Sequence, residues 1–351
     1  MGRNELKRVL DSAIAFDNNC ETWIYGIGDS AELYQQGLER EGISSWIAGY
    51  CVDNYGVCGT FHEKKIIDVR KLEGKKINIL VYSLNPKVAI ILYNKAKMIT
   101  ENVCLLDEYV LKKNSEKVLA VYDMFEDQKS RDVYEELIFA RIQGRMPKVG
   151  TYSDNAYFCW NEFSDIELGK TFIDCGAYVG DTIDQYIWKV FGVFDKIIAF
   201  EPDANNRKSM SYRLDRLQKE WNISDGKIEV ITAGLSDKSE IRSFTSFGNG
   251  LGSKFADNGE LQVEVVVLDD VIEERVDFLK ADVESFEYRL LSGGKELIKN
   301  YKPLLAICIY HNAIDMFSVP LLIASMDLNY KFAVRHHGSG LLDTVLYAWV
   351  E

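Results

Sequence analysis

The sequence predicts an α/β chain: a doubly wound parallel sheet in the C-terminal half, preceded by a smaller α/β domain. Three observations predict it. From Thr171 the chain reads TFIDCGAYVGD and, from Ile197, IIAFEPD: an apolar strand, a glycine turn, a helix and a second apolar strand. Before Leu111, apolar strand-like runs alternate with amphipathic helical ones, which implies a parallel sheet. The last segments, YKFAVRHH and TVLYAWVE, read as a terminal antiparallel hairpin. The expected organisation is an N-terminal domain over 1–111, a helical and aromatic-rich connector over 112–165, and the larger domain over 166–351.

In order, TWIYGIG is a strand running into a turn, and DSAELYQQGLEREG is an amphipathic helix with Asp29 or Ser30 as its N-cap. WIAGYCVDN and KINILVYSL are strands, VAIILYNKAKMI a helix, and ENVCLLDEYVL a closing strand with its tail. Gly26, Gly28 and Ala31 form GxGxxA between the first strand and its helix, and Asp53 follows at the end of the next strand. That pattern suits a nucleotide or nucleotide-sugar; a turn that merely packs is the alternative. The connector holds a charged helix, FEDQKSRDVYEELIFARIQGR, and the aromatics Tyr152, Tyr157, Phe158 and Trp160, expected to pack on the second domain rather than form a substrate lid. There FIDCG, KIIAFEP and KIEVITAGLSD are strands one to three, LQVEVVVLDDVI holds an added strand, and VDFLKADVE and KPLLAICIYH precede the hairpin.

Composition narrows the function. The 351 residues carry a formal net charge of −13, which disfavours a nucleic-acid backbone as partner. No apolar run approaches the roughly 18–20 residues of a membrane helix, and the amphipathic MGRNELKRVLDSAIAF start has no clean signal-peptide core. Seven cysteines without a CxxC pair suit reduced, buried thiols in a cytoplasmic protein. A zinc site on Cys51 and Cys58 is the weak alternative.

The strand-end order of acidic residue, glycine turn and acidic residue is that of a site for S-adenosylmethionine (SAM). Gly176 and Gly180 would allow close backbone approach to a ligand. Glu201 stands where a carboxylate accepts both ribose hydroxyls. Asp174 would anchor the first loop or meet the methionine amino group. Ala177, Tyr178, Asp181, Thr182, Pro202, Asp203, Gly234 and Leu235 complete the expected cofactor-binding set, with Asp203 also suited to cap the following helix.

The ordered series DCGAYVGDT, FEPD, LDDVI, DFLKADVESFEYRLLSGG, PLLAICIYH and RHH…DTVLYA resembles the FkbM family of SAM-dependent methyltransferases over roughly 116–351. The stretch GIGDSAELY…GYCVDN is similar to the Rossmann-like, sugar-nucleotide-binding-like domain often fused ahead of it. The resemblance implies a class I seven-stranded, doubly wound methyltransferase fold preceded by a smaller Rossmann-like domain. It also implies O-methylation of a hydroxyl on a sugar, a glycan precursor or a related small metabolite. Two positions depart from the family pattern: Tyr178 replaces the central glycine of the first turn, and Ser285 replaces the glycine of DVEGxE.

For the chemistry, strand alternation would put Lys280, Asp282 and Glu284 on one face as a base or substrate clamp, with a structural ion pair as the alternative. His311, expected to end strand LAICIYH at the same edge, is the candidate base for the acceptor hydroxyl. His336 and His337 fall before the last turn. A divalent metal on Asp282, Glu284, His311 and a second histidine is the less favoured reading of this cluster. A non-catalytic SAM- or glycan-binding scaffold and a nicotinamide-dependent oxidoreductase are the rival functions. An apolar surface between the domains would support a homodimer.

Overall fold

The computed structural model describes residues 2–53, 59–148, 152–165, 167–246, 253–255 and 259–351, without the side chains of residues 29, 30 and 254. Cys58, and the side chains of the expected caps Asp29 and Ser30, therefore lie outside the described residues. The other six cysteines are free thiols, five of them buried. Among the described residues, no helix is long and apolar enough to cross a membrane.

The chain divides into two units. The first comprises Met1–Tyr152, Ile309–Ser318 and His336–Thr344; the second comprises Ser153–Cys308, Val319–Arg335 and Val345–Glu351.

In the first unit, strands β1 (Glu21–Tyr25), β2 (Gly49–Val52), β3 (Gly59–Phe61), β4 (Lys64–Asp68), β5 (Ile77–Val81) and β6 (Val103–Leu105) form one sheet in the order β3-β4-β2-β1-β5-β6. All pairings are parallel except β3 with β4. Trp23, Tyr25, Cys51, Ile77, Ile79, Val81, Val103 and Leu105 build its core. The helices start where local chemistry dictates. Asn85 accepts from the Lys87 N–H ahead of Pro86–Lys97, and Asp127 accepts from the Ser130 N–H ahead of Gln128–Gln143. The tail expected after β6 is instead a helix, Leu106–Lys113, and a further helix spans Ser115–Met124. The helix after β1 begins at Asp29 with Gly28 at the N-cap position. Asp53 accepts from the Tyr25 hydroxyl and, at 2.6 Å, from Lys95 Nζ.

The second unit contains β7 (Thr171–Cys175), β8 (Lys196–Phe200), β9 (Ile228–Ile231), β10 (Gly234–Ser236), β11 (Glu240–Thr245), β12 (Lys254–Phe255), β13 (Leu261–Val267), β14 (Phe278–Ala281), β15 (Leu304–Cys308) and, except for their end residues His336 and Thr344, β16 (Lys331–His336) and β17 (Thr344–Trp349). Seven of these form the sheet β16-β17-β15-β14-β7-β8-β9, parallel from β15 to β9, with β17 antiparallel to β15. This is the doubly wound seven-stranded arrangement with a reversed last strand that the sequence predicts. Phe172, Ile173, Ile197, Ile198, Phe278, Leu279, Leu305 and Ile307 are buried in it.

Strand three differs from expectation. It stops at Ile231, and Gly234–Ser236 pairs with β13 in a separate four-stranded sheet, β10-β13-β11-β12. A Cβ on Gly234 would stand 2.4 Å from the Phe255 ring, so close packing inside that sheet selects glycine there. Of the connector aromatics, Phe158 and Trp160 pack on Phe278 in this unit. Tyr152 instead stacks on His336 in the first unit, at 5.3 Å.

Candidate functional site

Parallel strands of an open sheet present their carboxyl ends on one edge, and ligands bind there. At that edge β7 ends in Asp174–Cys175, β8 leads into Glu201, and β14 leads into Asp282.

The first turn is pinned to β8. The N–H groups of Gly176 and Ala177 both donate to the Phe200 carbonyl at 3.0 Å. The Tyr178 N–H donates to Glu201 Oε2 at 2.8 Å. Tyr178 takes φ 48°, so the residue replacing the family glycine keeps a left-handed turn. Gly180 has φ 77° and precedes the helix Asp181–Lys189, whose first turn carries the exposed Asp181 and the buried Thr182; neither side chain caps it. Gly176 has φ 82°, and its Cβ would lie 1.9 Å from the Asp282 carbonyl oxygen. Its close approach is thus to the β14 loop of this chain.

Glu201 is buried. Its Oε1 accepts from the Asp203 N–H at 2.8 Å and from Asn206 Nδ2 at 3.3 Å. Burial pushes its pKa up to about 7, although the bonds from Asp203, Asn206 and Tyr178 favour the anion. Asp203, after Pro202, caps the helix Ala204–Glu220 by accepting from the Asn205 and Asn206 N–H groups, and also accepts from the Ser246 hydroxyl.

Lys280 stands opposite Asp174 in the β14–β7 register. Its Nζ lies 3.0 Å from Asp174 Oδ1 and donates to the Gly176 carbonyl at 2.7 Å. Burial alone would lower the pKa of this ammonium, but the Asp174 and Asp282 carboxylates outweigh it and the net shift is upward. A lysine held protonated serves as a charge clamp and not as a base. Asp282 extends the strand ladder through its N–H to the Cys175 carbonyl at 3.0 Å. Glu284 does not continue the alternation: β14 ends at Ala281, and Glu284 and Ser285 take φ 52° and 75°. Ser285 thus adopts the positive φ of the glycine it replaces, and it is buried.

Two contacts were not foreseen from the sequence, one made by Tyr157, expected only to pack on the second domain or to form a lid, and one by Glu287. The Tyr157 hydroxyl donates to Asp282 Oδ2 at 2.9 Å, and its ring centroid lies 5.3 Å from Lys280 Nζ. Tyr157 has φ 67°, a strained conformation for a bulky residue. Glu287, the second glutamate of DVESFE, is fully buried and accepts from the Val283 N–H at 2.9 Å, holding the Asp282–Ser285 turn. A buried glutamate inside an amphipathic pattern is the signal that could have marked it.

Leu235 and Gly234 lie in the four-stranded sheet. His311 lies three residues beyond the end of β15 rather than on it, buried, in the first unit, with its ring 4.1 Å from that of Tyr310. His336 bonds Thr344 Oγ1 through Nδ1 at 2.9 Å, and burial lowers its pKa to about 4. It is neutral and packed.

Residues 174–332 match the family model of the methyltransferase FkbM domain. The whole chain is similar in fold to the methyltransferase FkbM of Methylobacillus flagellatus, at 16% identity and a TM-score of 0.60, over 99% of this chain and 98% of that one. A putative methyltransferase from Streptococcus mutans in complex with S-adenosylhomocysteine (SAH) aligns at 12% identity and a TM-score of 0.32, over 53% of this chain and 91% of its own. The SAH-bound methyltransferase of Podospora anserina aligns at 9% and 0.32, over 69% and 93%. Comparison with curated proteins gave no match. The matched stretch begins at Asp174, so Tyr157 reaches Asp282 from outside it. It also includes Ile309–Ser318, which folds with the N-terminal residues.

Proposed function

We propose that the chain is a SAM-dependent O-methyltransferase acting on a hydroxyl of a sugar, a glycan precursor or a related small metabolite. The observation that carries the donor assignment is Glu201. It is a buried carboxyl group just past the end of β8, acceptor-only once ionised, and clasped to the first turn by the Tyr178 N–H. Oε1 already accepts two protein bonds, whereas Oε2 accepts one and keeps a lone pair that a ribose hydroxyl can donate to. The residues present therefore fit a nucleoside. SAM supplies, when bound, a methyl group on a sulfonium that is already strongly electrophilic.

The protein's work is orientation, exclusion of water and proton removal. Glu201 holds the ribose, with the main chain of Gly176, Ala177, Tyr178 and Gly180 shaping the turn beside it. Lys280 fixes Asp174 and the end of β14, which sets Asp282. Asp282, held by Tyr157, orients the acceptor hydroxyl. His311 receives the hydroxyl proton on a ring nitrogen as the oxygen gains the methyl group. The two departures from the family pattern do not support the scaffold reading: Tyr178 and Ser285 both take a left-handed backbone that a glycine adopts freely. A nucleotide-sugar at Gly26–Ala31 remains a separate assignment; there Asp53 is bonded to Tyr25 and Lys95.

The test is methyl transfer from labelled SAM to a panel of hydroxylated acceptors, beginning with nucleotide-sugars. His311→Gln should bind SAH like the wild type and transfer no methyl group. Full transfer by that variant would remove His311 from the mechanism.

A further inference from the structure

The segment Ile309–Ser318 has no regular structure until the helix Asp315–Ala324 begins, yet every residue from His311 to Ser318 is buried. Its polar groups must find partners elsewhere in the chain. They find them on residues far earlier in the sequence, inside the same unit. Tyr82, just past β5, donates its hydroxyl to the His311 carbonyl at 3.1 Å. Arg141, buried on Gln128–Gln143, pairs with Asp107 at 2.8 Å and donates its other terminal nitrogen to the Tyr310 carbonyl. Arg40, closing the helix that begins at Asp29, reaches Asp315 Oδ1 at 2.7 Å and Ser318 Oγ at 2.8 Å. The Tyr134 hydroxyl donates to the Met316 carbonyl at 3.1 Å, and Asn312 Nδ2 donates to the Leu33 carbonyl at 3.3 Å.

We propose that Arg40, Tyr82 and Arg141 are positioning residues that fix where His311 stands, and that holding this segment is a function of the N-terminal sheet and its helices. Burying the Arg141 guanidinium, with that of Arg40 half-buried, gains little net stability over apolar packing. What such a network does supply is one conformation. The donors converge on the carbonyls on either side of the His311 peptide and on the cap of the next helix. The catalytic meaning rests on the reading of His311 as proton acceptor; the positional claim does not. The competing account is that His311 is held by its own neighbour, the Tyr310 ring.

The chain has four histidines, so a protein labelled with ¹³C-histidine gives a simple spectrum. His311 is assigned by its loss in His311→Gln. Tyr82→Phe removes one hydroxyl, and Arg40→Lys keeps the charge while losing the forked contact. Both variants should move or double the His311 resonances and leave those of His62 unchanged. Histidine spectra that superimpose on the wild type in Tyr82→Phe would overturn the proposal. Should Arg40→Lys lower the unfolding midpoint, Tyr82→Phe alone carries the test. In the methyl-transfer assay, kcat of Tyr82→Phe should fall about 10- to 100-fold with the KM for SAM kept. If His311→Gln abolishes transfer and Tyr82→Phe does not slow it, the positioning role in catalysis is wrong. If His311→Gln transfers normally, the base assignment fails, and the resonances still decide the positional claim.

Discussion

Glu201 carries a proton at a pH where an ordinary carboxylic acid has lost it. Its pKa rises from 4.5 to about 7 in the folded protein because burial outweighs three hydrogen bonds to the anion. The ribose hydroxyls would add donors, so the ligand binds the ionised form. The sign follows: below about pH 7 a proton must leave before SAH binds. Affinity should therefore rise with pH up to about 7 and then level off, changing by up to ~10-fold per pH unit on the acid side. Calorimetry in buffers of different ionisation enthalpy reads that proton release, and Glu201→Gln should abolish it. Without ligand the linkage runs the other way. The folded chain holds a proton that the unfolded chain has lost, so this group's contribution to stability falls as pH rises from 4.5 to about 7. The place of Glu201, directly after β8, was legible in the sequence because an acid following an apolar strand is a local pattern. Tyr157 was not, because its bond to Asp282 spans 125 positions and depends on a positive φ that a tyrosine gives no reason to expect.

Strands β7 and β14 are joined at their carboxyl ends by a charge clasp and by steric fit. Lys280→Met would leave Asp174 buried opposite an apolar side chain, at a cost of about 3–5 kcal/mol. The double variant with Asp174→Asn should recover part of that, which denaturant melts of the three variants measure as a coupling energy. Gly176→Ala places a methyl group against the Asp282 carbonyl in a left-handed backbone and should cost about 1–3 kcal/mol. An unchanged melting midpoint would show that the loop yields freely. Element type and order in the seven-stranded sheet were readable from apolar runs and glycine turns. The separate strand Gly234–Ser236 was not, because three residues after a two-residue break look like a continuation of strand three. The alternation argument carried Lys280 and Asp282 but overran the strand at Glu284, where chain geometry and not residue type changes.

The two units alternate along the sequence, so a single boundary drawn along it does not separate them. Ile309–Ser318 lies inside the stretch that matches the FkbM family model and is bonded to Arg40, Tyr82, Tyr134 and Arg141. A fragment of residues 153–351 would expose that segment. It should be cleaved there in limited proteolysis under conditions where the full chain resists; equal resistance would show that the segment needs no N-terminal support. No sequence pattern announces such a return, because its contacts pair carbonyl groups, which every residue has, with tyrosines and arginines that read locally as packing or surface. The central claim is the nucleoside site at Glu201, and calorimetric titration with SAH tests it most directly. The account predicts saturable micromolar binding by the wild type, weakened ~100-fold in Glu201→Gln by loss of about 3 kcal/mol of charge-assisted hydrogen bonding. Equal binding by the two proteins, or none by the wild type at millimolar SAH, would contradict it.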